Sequence, residues 1–96
     1  MGGAVYDKGR GAVELYIADI AWTEPEAIVR FGLRLAGAAT EPRCTLVARR
    51  LASRWELISL DLSHVREELR AAQLEVSVIA PVVWARARAR LEFEYD

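Results

Sequence analysis

From Ala12 to Trp22 the chain reads AVELYIADIAW, with Val13, Leu15 and Ile17 alternating against Glu14, Tyr16 and Ala18. A two-residue period rich in β-branched and aromatic side chains predicts a strand. TEPE follows, in which Thr23 can cap a helix, Pro25 fits its first turn and Glu26 completes a capping box. Read as a helix, this segment sets Ile28, Phe31, Leu35 and Ala38 on one face and Arg30 and Arg34 on another, and Gly37 stops it. The same residues also alternate: Val29, Phe31, Leu33 and Leu35 against Arg30, Gly32 and Arg34, which is a strand pattern. Gly32 suits neither element, and the capping box favours the helix.

Beyond a second TEP at Thr40–Pro42, CTLVARR predicts a strand, LASR a turn, and WELISLDL a return strand with Ile58, Leu60 and Leu62 on one face. Trp55, Ile58, Leu62, Val65 and Leu69 also fall at helical spacing, so one long helix is the rival. Ser63 resembles a cap, and Val65, Leu69, Ala72, Val76, Ile79 and Val83 continue as an apolar seam, predicting a helix from about Ser63 to Ala80. The β-branched run LEVSVI and Pro81 oppose its second half. The tail ARARARLEFEYD reads two ways. As a strand it aligns Arg86, Arg88, Arg90, Glu92 and Glu94; as a helix it pairs Arg88 with Glu92 and Arg90 with Glu94. Alternation from Leu91 to Tyr95 favours a terminal strand or extended arm.

The expected fold class is α+β: a small antiparallel sheet with two helices on one face, ordered β-α-β-β-α, plus a C-terminal extension. An all-β sandwich is the alternative if the TEPE segment and residues 74–80 are strands. A glycine-rich flexible leader over residues 1–11 is expected to precede a single domain over residues 12–96.

Composition narrows the functional classes. With 53% hydrophobic and 28% charged residues, the chain is globular rather than disordered. A formal charge of −1 argues against a uniformly basic nucleic-acid coat. Twelve of the 13 basic residues are arginine, Lys8 being the exception, a bias that suits interfaces as well as codon usage or heat. Cys44 is the sole cysteine, so a reducing, cytoplasmic setting and a buried apolar role are expected. No apolar run approaches the eighteen residues of a membrane span.

Candidate chemistry is sparse. Asp61, His64 and Glu67 lie close in sequence, but neither a nucleophile nor a metal partner accompanies them, and a solvated charge pair is the simpler account. Phosphate loops of the GxxxxGK[ST] or GxGxxG kind do not occur, so no cofactor, metal or catalytic residue is expected. Arg86, Arg88 and Arg90, or the Asp-Lys-Gly-Arg-Gly leader at residues 7–11, could contact RNA; a charged edge paired with Glu92 and Glu94 competes with that reading. A stand-alone nucleic-acid-binding module is therefore the alternative function. Trp22, Trp55 and Trp84 read as core or interface anchors.

Two stretches carry a family resemblance: VELYIADIAWTEPEAIVRFGL, and WELISLDLSHVREELRAA with Asp61, Ser63, Val65 and Arg66 at a strand-to-helix joint. Together they resemble the CTAG/Pcc family, the small dimerising subunit of the KEOPS tRNA-modification complex, or its archaeal paralogue. The resemblance implies a non-catalytic, cytoplasmic subunit that forms a homodimer and docks through its helices onto a sugar-kinase-fold ATPase. That complex makes threonylcarbamoyladenosine in tRNA, which the small subunit would contact weakly or indirectly. The implied docking surface comprises Ile28, Phe31, Leu35, Leu69, Ala72, Val76 and Ile79, and Asp61, Ser63 and Arg66 form a structural joint. Pro81 and the arginine tail depart from the family pattern.

Overall fold

The computed structural model describes residues 4–7, 11–35 and 37–95. Among these, six antiparallel strands form one sheet: β1 (Ala4–Asp7), β2 (Gly11–Thr23), β3 (Glu26–Leu35), β4 (Ala38–Ala39), β5 (Cys44–Leu51) and β6 (Arg54–Asp61). A 3-10 turn at Ser63–Val65 leads into α1 (Arg66–Ala71), and α2 (Val76–Tyr95) closes the chain. The sheet order is β1-β2-β3-β5-β6, with the short β4 also pairing β3. The class is α+β, but strands precede helices instead of alternating with them. Part of the expected flexible leader is strand, since Val5 of β1 lies opposite Val13.

TEPE is the first correction. It is the turn of the β2–β3 hairpin, with a cis Glu24–Pro25 peptide, and does not start a helix. Thr23 Oγ1 donates to the Glu26 carbonyl at 3.3 Å, so the supposed cap spans the hairpin. Arg50 N–H donates to the Pro25 carbonyl at 2.8 Å and ties the turn to β5. What decides between helix and strand is burial along one face of β3, between β2 and β5. Ala27, Val29, Phe31, Leu33 and Leu35 are all buried on one face, a two-residue period that a helix would scatter round its axis.

Gly32, ill-suited to a helix, has a cross-strand purpose here. It lies opposite Tyr16, whose ring occupies the space over it; a Cβ on Gly32 would stand 2.6–2.8 Å from the ring atoms and hydroxyl. The Tyr16 hydroxyl then donates to the Thr40 carbonyl, and Thr40 Oγ1 accepts from Leu33 N–H at 3.0 Å.

The expected helix from Ser63 to Ala80 is interrupted. Gln73 adopts a left-handed φ of 60°, with Gln73 N–H donating to the Arg70 carbonyl (3.0 Å) and Leu74 N–H to the Leu69 carbonyl (2.9 Å). This pair of bonds is the Schellman arrangement that terminates helices, and Leu74, buried, anchors it. α2 then begins afresh and runs through Pro81, where termination or a kink was expected. The missing N–H falls early in the helix, at an exposed position four residues after Ser77, which is exposed too.

ARARARLEFEY is helix, not strand. Ile79, Val83, Ala87 and Leu91 recur every fourth residue and are buried against the sheet. Alanine and arginine are strong helix formers, so propensity and packing agree. Burying each of the three larger residues contributes about 1.5–3 kcal/mol, enough to hold the helix on the sheet. The ion pair Arg90–Glu94 forms at i, i+4 as the helical alternative required. All helical cover lies on one sheet face, and the sandwich alternative does not arise.

Candidate functional site

Which face of the sheet each residue occupies follows from the strand pairing. The covered face carries Leu15, Ile17, Phe31, Leu46 and their neighbours beneath α2. The open face is ordered in cross-strand rows. Glu26, Arg49 and Glu56 form one; Ala21, Ile28, Val47 and Ser59 the next; Asp19, Arg30, Thr45 and Asp61 a third. Arg30 Nε donates to Asp19 Oδ2 at 3.0 Å and Arg34 Nη1 to Glu14 Oε1 at 3.2 Å. Opposite charges therefore neutralise each other across neighbouring strands, and only one row is apolar. Antiparallel sheets tolerate such a face against water, so it does not call for a covering partner.

The edge is different. β6 ends the sheet, and its outer backbone groups have no strand beside them among the described residues. Ile58 is the extra residue of a bulge: Leu57 lies opposite Ala48 and Ser59 opposite Val47, with Ile58 between. Ile58 is 52% exposed and Leu57 38%. Beside them, at the start of α2, Val76 is 47% exposed, and with Leu57, Leu60, Leu62 and Ala80 it lines a cleft of about 370 Å³. Asp61, Ser63 and Arg66 rim that cleft.

Asp61 and Ser63 meet as the joint reading expects. Asp61 Oδ1 accepts from Ser63 Oγ at 2.6 Å and from Ser63 N–H at 2.9 Å. These bonds, the hydroxyl's first, hold the Asp61 carboxyl below its ordinary value. The acceptor is thus the aspartate. Ser63 itself makes no cap bond to the helix, and Arg66 only borders the cleft.

The seven residues assigned to docking do not form one surface. Phe31, Leu35, Leu69 and Ile79 are interior, and Ala72 is half-buried. Ile28 and Val76 are exposed, the first on the open face and the second beside the covered one. The seam through Ile28, Phe31 and Leu35 presupposed a helix; in a strand, Ile28 faces away from the other two. The arginine tail is likewise divided. Arg86 and Arg90 border a cleft with Leu15, Ile17 and Phe93, whereas Arg88 lies about 200° round the helix from Arg86. Lys8 and Arg10 of the basic leader lie outside the described residues.

His64 is exposed and shares a cleft of about 420 Å³ with Thr40, Glu41, Arg43 and Glu68. Arg43 is engaged by Glu41 at 3.0 Å. Cys44 is buried, and burial foremost, with the charges of Asp61 and Glu68, pushes its thiol up to about 11. Among the described residues no three His, Cys, Asp or Glu side chains cluster in a way that could hold a metal ion. Among the described residues no helix is long and apolar enough to cross a membrane.

Two groupings escaped sequence reasoning. The strand pattern of WELISLDL gives no sign of the bulge, which leaves Leu57 on the covered face beside the cleft and Ile58 exposed as the extra residue, off the face expected for it with Leu60 and Leu62. Trp22, Trp55 and Tyr95, distant in sequence, meet with ring centroids 5.4–6.1 Å apart. Trp55 is buried and its indole N–H has no acceptor among the described residues, so this is a hydrophobic clasp at the end of α2. The reading of Trp22 and Trp55 as anchors was its signal in the sequence; Trp84, read with them, is not part of the clasp. Comparison with known proteins finds no family model, curated protein or solved structure that matches this chain.

Proposed function

We propose that this protein is a non-catalytic interaction module that joins an assembly by adding a protein strand to the free edge of its sheet at β6. The observation that carries this reading is the coincidence, along one edge, of unpaired strand backbone with exposed Leu57, Ile58 and Val76. Strand addition uses main-chain hydrogen bonds for affinity and adjoining apolar clefts for selectivity, and the cleft beneath Leu57 supplies the second. Natural edges are guarded by lysine and other charges, proline or bulges; β6 has no lysine or proline, its charges Arg54, Glu56 and Asp61 lie on the open face, and its bulge exposes an isoleucine.

The assembly role expected of the chain is retained in this form. The strand–helix order from which membership of the threonylcarbamoyladenosine complex was expected is not the order the chain adopts, and the present reading names no particular complex. The test is capture of binding proteins by the tagged chain, with Ile58→Lys in parallel. Ile58 is exposed, so the variant should fold, and it should lose whatever the wild type captures. Capture that is indifferent to Ile58→Lys sinks the edge reading.

A further inference from the structure

We propose that the strand added at this edge is β6 of a second copy of the same chain, paired antiparallel about a two-fold axis through the Leu57–Ile58 bulge. The inference rests on the edge reading above and names its partner.

The distribution of charge along β6 is what points to self-pairing. Relative to β5, the extra residue Ile58 leaves Arg54, Glu56, Ser59 and Asp61 on the open face and Trp55, Leu57 and Leu60 on the covered one. An antiparallel pair related by a two-fold axis normal to the sheet must set residues of the same face opposite each other. With the bulge on the axis, Arg54 faces the partner's Asp61, Glu56 faces the partner's Ser59, and Trp55 faces the partner's Leu60. Without the bulge, the separation of Arg54 and Asp61 would place them on opposite faces, and this register would be forbidden. The bulge that interrupts the β5–β6 ladder is therefore the feature that makes β6 self-complementary.

Both ends of the paired strands then carry an opposite-charge contact, made twice by symmetry. Arg54 is 3.0 Å from Glu56 in the single chain, and a further carboxylate extends that pairing. Asp61 uses Oδ1 for Ser63, which leaves Oδ2 for the partner. At the axis, Leu57 of each copy faces the partner's Ile58, and these exposed side chains leave water. The open faces of the two sheets become continuous, so the third row of one copy, ending at Asp61, runs on into the partner's Arg54.

Sedimentation across a concentration series, with circular dichroism on every variant, tests the proposal. The wild type should be a dimer that dissociates on dilution. Arg54→Asp and Asp61→Arg should each weaken self-association roughly tenfold by setting like charges opposite at both ends. An equimolar mixture of these two variants should recover wild-type affinity, because each mixed pair again joins opposite charges. Ile58→Lys should be monomeric and fully folded, and stands independently of any damage that Asp61→Arg does to the Ser63 joint.

A wild type that stays monomeric overturns self-pairing, as does a dimer indifferent to Ile58→Lys. A dimer that Ile58→Lys breaks, but whose charge variants do not rescue each other, overturns the register. The broader edge reading fails separately. A monomer that captures another protein only when Ile58 is intact keeps that reading and overturns the second copy as its partner.

Discussion

The guanidinium of Arg50 lies over the ring of Tyr95, 4.1 Å from its centroid. Arg50 belongs to β5 and Tyr95 is the last residue of α2, so this contact pins the far end of the helix to the sheet. Trp22 and Trp55 complete the clasp, and the Tyr95 hydroxyl reaches Glu24 Oε1 at 3.4 Å on the exposed β2–β3 turn. Tyr95→Ala should cost about 2–3 kcal/mol in denaturant unfolding, from lost aromatic and cation–π contacts. Tyr95→Phe keeps the ring and should fall within about 0.5 kcal/mol of wild type. Equal losses in the two variants would assign the effect to the hydroxyl.

Gly32 and Tyr16 should behave as a coupled pair. Gly32→Ala forces a methyl group into the Tyr16 ring and is expected to destabilise the fold by about 1–3 kcal/mol. In a Tyr16→Ala background the same change should cost much less, since the obstructing ring is gone. A double-mutant cycle by chemical denaturation reads the difference; simple additivity would contradict the packing.

Asp61 makes acid stability sensitive to the β6–α1 joint. Its hydrogen bonds from Ser63 lower the folded pKa, whereas the unfolded chain lacks them and titrates near 3.8. As pH falls, the unfolded state takes up the proton first. The stabilisation is complete above 3.8 and disappears as pH drops through the lower folded value. Ser63→Ala should raise the Asp61 pKa seen by carboxyl NMR towards 3.8 and flatten the acid limb of the melting-temperature profile.

Cys44 should be inert in the folded chain. With the thiol pushed up to about 11 and buried, its thiolate is scarce at mild alkaline pH. Labelling with an aromatic disulfide reagent should run on the order of 100-fold slower than in the denatured protein. Because the unfolded thiol ionises near 9.0, stability should also decline as pH rises from 9.0 towards 11.

The helical tail predicts a contrast between two nearby residues. Leu91 is fully buried and Phe93 is 83% exposed. Leu91→Ala should cost about 2–5 kcal/mol, and Phe93→Ala within about 0.5 kcal/mol. Comparable costs would restore the extended arm, in which the two side chains share a face.

The β5–β6 hairpin was legible in the sequence because its alternation and its turn at LASR agree, which outweighs the helical spacing of Trp55, Ile58 and Leu62. Asp61 and Ser63 could also be placed at a joint, since their bonding spans only two residues. The β3 segment and the tail could not be settled that way. Each supports helix and strand alike, and its state depends on what lies across from it. Phe31 is buried because β2 and β5 flank it, and Leu91 because α2 crosses the sheet. The candidate edge is also a tertiary product. Nothing in the sequence marks Ile58 as an extra residue; only the mismatch with β5 creates the bulge, and only the strand order leaves β6 with β5 as its single neighbour among the described residues. Local pattern by itself determined a mixture of strands and helices with Cys44 buried. Which segments became strands, and which apolar residues were left facing water, was decided by long-range pairing, whose free energy outweighs the small differences in local propensity.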